Sequence, residues 1–123
     1  MEKIRYLNSV ATRTLPESYR ELLLADALDR YRSRNKTGVL FVDVKQSSLY
    51  LIRIYLRGGE IYCLSYGPVK GNECLELLEF YDFKKAVFLD GIAIQVAKHD
   101  IPETGRIISF IRSTGKTVSV AAH

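Results

Sequence analysis

Core-facing apolar positions recur with a period of two at Leu40, Val42 and Val44 of Gly38–Val44 (GVLFVDV), and in two further runs at Ile52, Ile54 and Leu56 before Gly58-Gly59 and Ile61 and Cys63 after it. Alternation of this kind is the mark of half-buried strands. Lys45-Gln46-Ser47-Ser48 is a polar turn between the first run and the second. Gly58-Gly59 suits a two-residue hairpin turn, which needs positive φ at its central residues. That turn sets Arg57 opposite Glu60, Tyr55 opposite Tyr62, Arg53 opposite Leu64 and Leu51 opposite Tyr66. The other face then pairs Leu56 with Ile61, Ile54 with Cys63 and Ile52 with Ser65, and it continues into Leu40, Val42 and Val44 as a core face.

The period changes to a helical one on both sides of this block. Thr14-Leu15-Pro16-Glu17 is a helix-start signal, and Leu24, Ala27, Leu28 and Tyr31, broadened by Leu23, make a stripe. Asp26 and Arg30 are spaced to pair on the exposed side. The helix is expected to end near Asn35, where Arg30, Arg32, Arg34 and Lys36 read as a solvated basic terminus. A second helix is expected over Asn72–Tyr81, with Cys74, Leu75, Leu78 and Tyr81 inward and Glu76 and Glu79 outward. Phe83–Leu89 reads as a fourth strand, and Ile92–Ala97 as a fifth strand or an irregular crossing. Asp100-Ile101-Pro102-Glu103, with Asp100 as cap, opens a last helix through Ile107, Ile108 and Ile111 to about Gly115. TVSVAAH is an edge strand or a frayed tail, and residues 1–13 a leader strand or ordered arm. The expected fold is a single α+β domain over residues 1–123: an antiparallel sheet meander with helices packed on one face.

At 123 residues the chain can bury a core without metal or disulfide staples. A net charge of +4 with no dense Lys/Arg block permits acidic partners without demanding them. Cys63 and Cys74 match no zinc or redox spacing and read as two buried free thiols in a reducing compartment. With no apolar run of signal-peptide or membrane-span length, a cytoplasmic protein without membrane insertion is expected.

Catalytic patterns are not found. His99 and His123 are the only histidines, and His99 reads as a surface residue. Ser113-Thr114-Gly115-Lys116-Thr117 ends like a phosphate-binding loop, but Phe110 stands where the first glycine is required. Gly71 opens a helix, yet Glu73 in its first turn repels an anion. No enzyme activity, metal or cofactor is expected.

The second hairpin face therefore carries the functional question. It groups Arg53, Tyr55, Arg57, Tyr62, Leu64 and Tyr66 with Phe41 of the first strand. Such a face is covered by a helix or the N-terminal arm, or it binds a protein or a second copy of the chain, since Tyr and Arg anchor interfaces. Base stacking is disfavoured because Asp43 and Glu60 offset Arg53 and Arg57.

Thr37-Gly38-Val39-Leu40, Gly59-Glu60-Ile61, Tyr66-Gly67 and Gly71-Asn72-Glu73-Cys74-Leu75 resemble the PATAN-type domain, as do the Phe83–Phe88 strand and Ile101-Pro102-Glu103-Thr104. The resemblance spans about residues 15–112. It implies a non-catalytic protein-interaction adaptor in bacterial signal transduction, tied to surface motility or type IV pili, with Gly38, Gly58, Gly59, Gly67 and Gly71 as structural turns. Family members often sit beside response-regulator receivers. This chain carries none, and it has Leu64 and Cys74 where small alanines are usual.

Overall fold

In the computed structural model, residues 19–121 are described. The strands are β1 (Tyr19–Leu23), β2 (Gly38–Val44), β3 (Leu51–Arg57), β4 (Glu60–Tyr66), β5 (Val69–Lys70), β6 (Phe83–Asp90) and β7 (Thr117–Ala121). The helices are α1 (Leu24–Ser33), α2 (Asn72–Phe80) and α3 (Thr104–Thr114). One sheet holds all seven strands in the order β1-β7-β6-β2-β3-β4-β5. This is an α+β domain, and β2 through β5 form the expected antiparallel meander.

The expectation of an all-antiparallel sheet is corrected at β7. This strand pairs parallel with β6, and β1 pairs antiparallel with β7. The tail is thus an interior strand, because α3 returns the chain to the β6 side and β1 covers the far edge. The helix-start signal at Thr14–Glu17 lies outside the described residues. Helix α1 itself begins only at Leu24, since Tyr19–Leu23 is drawn into the ladder opposite Ala121–Thr117. No side chain caps it; the Leu24 N–H donates to the Lys116 carbonyl at 3.0 Å. It ends as expected near Asn35, whose positive φ of 51° lets the Lys36 N–H reach back to the Tyr31 carbonyl.

The core lies between the helices and one sheet face. Leu24, Ala27 and Leu28 of α1, Cys74 and Leu78 of α2, and Ile107 and Ile111 of α3 are buried. They pack over Leu40, Val42, Ile52, Ile54 and Leu56, each large aliphatic contributing roughly 1.5–3 kcal/mol of transfer free energy. Tyr31 stacks on Phe88 of β6 at 4.3 Å between centroids. Asp26 does not pair with Arg30; Arg112 of α3 reaches both Asp26 (2.7 Å) and Asp29 (2.5 Å). Cys63 and Cys74 are buried and unbridged, and burial pushes the Cys74 thiol up to about 12.

Candidate interaction surface

Gly58 and Gly59 both have positive φ (58° and 85°), and Arg57 stands opposite Glu60 as the turn requires. The side chains nonetheless part. Glu60 pairs with Arg32 of α1 at 3.2 Å, while Arg57 lies over the Tyr62 ring at 4.1 Å. One step further the register shifts. Leu56 faces Ile61, but Tyr55 faces Cys63, Ile54 faces Leu64 and Ile52 faces Tyr66.

Tyr62 is therefore the extra residue of a β-bulge, and from there on every side chain of β4 exchanges faces. Leu64 and Tyr66, expected on the Tyr/Arg face, belong to the core with 0% and 7% exposure. Cys63 moves the other way. The Tyr55–Tyr62 contact survives, edge-on at 6.1 Å, because Tyr62 and Cys63 both turn outward at the bulge. Of the seven expected residues, Phe41, Arg53, Tyr55, Arg57 and Tyr62 share the outer face, with Arg53 over the Phe41 ring at 5.8 Å.

Part of that face is already occupied. Residues 91–103, the irregular crossing between β6 and α3, run over Arg57 and Tyr62 to the edge of β4. The Gly91 N–H donates to the Thr37 carbonyl, Arg57 donates to the Ile94 carbonyl (2.8 Å), and the Ile94 N–H donates to the Tyr62 hydroxyl (3.1 Å). The strap and the first residue of α3 then satisfy the β4 edge where two-residue β5 cannot. The His99 N–H donates to the Tyr62 carbonyl (2.8 Å), the Leu64 N–H to His99 Nδ1 (3.3 Å) and the Ile61 N–H to the buried Thr104 hydroxyl (3.0 Å). His99, expected as a free surface residue, thus holds the strap to β4. Asp100 does not cap α3; Glu103 is the N-cap, without a side-chain bond. Burial pushes the Cys63 thiol up, while the His99 N–H and Arg57 oppose that shift.

Gly38 has no turn role either. It is the first residue of β2, and a Cβ there would overlap the Leu89 carbonyl oxygen and the Phe88 ring of β6.

The opposite end of the hairpin is open. Tyr50 packs edge-on to Tyr66 (5.6 Å), which lies 5.4 Å from Tyr81. Beside these rings Leu49, Tyr50 and Phe80 are 59%, 40% and 70% exposed. Phe80 stands four residues after Glu76 and one after Glu79, so an aromatic side chain shares the polar side of α2 with exposed carboxylates. The sequence carried this signal as a Phe outside the inward stripe of α2, and reading α2 by its inward stripe alone misses it. Among the described residues no three His, Cys, Asp or Glu side chains gather as a metal site, and no helix is long and apolar enough to cross a membrane. The chain matches no family model, no curated protein and no solved structure.

Proposed function

We propose that this chain is a non-catalytic protein-interaction adaptor, with the open end of the hairpin as its docking surface. The observation that carries this reading is the exposure of Leu49, Tyr50 and Phe80 around the Tyr50–Tyr66–Tyr81 cluster. Scattered exposed apolar residues are ordinary, but here each belongs to the ring cluster or neighbours one of its rings along the chain, and grouped apolar exposure is the usual mark of an interface. Its margin, Glu76 and Glu79, selects a partner segment that is apolar on one side and basic on the other. Tyr55, Arg53 and Phe41 are secondary, because the strap and their mutual contacts already occupy much of their surface. The PATAN-type resemblance supports placing the adaptor in bacterial cytoplasmic signalling, with surface motility or type IV pili as its setting.

The test is capture from a nuclease-treated bacterial lysate by wild type and by Leu49→Ser/Phe80→Ser. A discrete protein held by wild type and reduced about tenfold or more by the folded double variant supports the reading. Equal capture by both removes this surface. Light scattering over a dilution series addresses the rival use of the patch: a wild-type dimer that the double variant abolishes makes the partner a second copy.

A further inference from the structure

The pairing of β2 with β6 also slips, between Val42 and Val44. Val42 faces Ala86 and Val44 faces Phe83, so β6 spends three residues where β2 spends two. Phe83 and Ala86 both enter the core. The two residues between them, Lys84 and Lys85, are left on the outer side. A bulge is a device that re-aims side chains, and here it sets two consecutive ammonium groups on one face.

These lysines line a hollow of about 610 Å³ bounded by β1, β6 and β7. Lys45, just past β2, adds a third ammonium group, and Thr117 and Ser119 of β7 supply hydroxyls. Among the described residues the only carboxylate on the wall is Glu21, which accepts from the Thr117 hydroxyl at 2.9 Å. Asp82 is held by Lys116 (3.0 Å) and by Gln46 (3.0 Å) and does not line the hollow. Tyr19 lines the same wall, and its hydroxyl is buried without a hydrogen-bond partner among the described residues.

We infer that this hollow is a binding site for a phosphate-bearing small molecule. Among the described residues, three ammonium groups against one carboxylate match the double negative charge of a phosphate group, and the hydroxyls can donate to its remaining oxygens. The volume suits a ligand larger than the phosphate itself. The cluster of Arg20, Arg30 and Arg34 across the sheet edge is a poorer site, because its hollow of about 40 Å³ holds little more than water. The positive charge is a localised ring and not a track along the face, which sets a phosphorylated metabolite apart from a nucleic-acid strand. This site does not depend on the docking surface proposed above.

Titration calorimetry with inorganic pyrophosphate at fixed ionic strength tests it. The proteins compared are wild type, Lys84→Gln/Lys85→Gln and a control of equal charge change, Lys70→Gln/Lys98→Gln. Saturable binding by wild type, weakened about tenfold or more by the first variant and unchanged by the control, is the expected result. Should the first variant fail to fold, Lys45→Gln in the turn carries the same expectation. Absence of saturable binding at millimolar pyrophosphate, or equal weakening in site and control variants, overturns the proposal. So does a single-stranded oligonucleotide that binds more tightly than pyrophosphate through the same lysines.

Discussion

The two ends of the β3–β4 hairpin contain similar residues and meet opposite fates. At the turn end, Arg57 and Tyr62 are consumed by the strap: the Tyr62 hydroxyl and carbonyl each have a partner from residues 94–99. At the other end, Tyr50 and its neighbours Tyr66 and Tyr81 leave Leu49 and Phe80 facing water. An aromatic or an arginine is therefore not a binding group by type. What the rest of the chain lays over it decides whether it is cover or contact.

The comparison breaks most readily at the turn. A Cβ at Gly59 would lie 2.7 Å from the Arg32 carbonyl oxygen, at a φ of 85°. Gly59→Ala should cost about 3 kcal/mol in urea unfolding, from backbone strain and overpacking together. Gly58→Ala meets nothing within 4 Å and should cost only about 1 kcal/mol. Equal losses at both positions would mean that the turn is not pressed against α1.

Tyr62→Phe comes next. Losing the acceptor for the Ile94 N–H should destabilise by about 1 kcal/mol and speed hydrogen exchange at Ile94. Unaltered exchange would show that the strap is held elsewhere.

Acid should weaken both ends slightly. Hydrogen bonds from Lys36 to Asp90 at the turn end, and from Lys116 and Gln46 to Asp82 at the open end, hold both carboxyls below their usual value. A carboxylate depressed in the folded state contributes stability above its unfolded pKa, about 4, and loses it as pH falls through the folded value. Both groups are exposed, so the loss below pH 4 should be small, and Asp90→Asn and Asp82→Asn should each flatten it.

The smallest effect is expected at the open end. Leu49→Ser/Phe80→Ser should change stability by less than about 0.5 kcal/mol, since neither side chain is packed. A larger loss would mean that the patch is structural.

Much of this fold was legible because it is local. Strand β2, helix α2, the Gly-Gly turn and the last helix follow from period and turn chemistry within a few residues. Several of the misses are long-range. Tyr19–Leu23 continues a helix-like stretch, and only β7, about a hundred residues away, makes it a strand. The bulge at Tyr62 was hidden because Ile61 through Leu64 are all apolar enough for either face; the strap buries what alternation would expose. At Phe83-Lys84-Lys85-Ala86 the reverse holds. Two apolar residues three apart break the alternation in plain view, and the signal was present in the sequence alone.

The place of β7 has a consequence for how the molecule is made. Synthesis runs from the N-terminus, so β1 and the outer edge of β6 emerge long before residues 117–121 exist to join them. Until then two strand edges stand unpaired, with the inward side of β6 lacking Val118 and Val120 beside it. Closure of the sheet must await residues 117–121, across a sequence separation from β1 that makes this step slow. The nascent protein is most prone to aggregate just before β7 emerges, and a chain released a few residues short of β7 would keep that exposure for good.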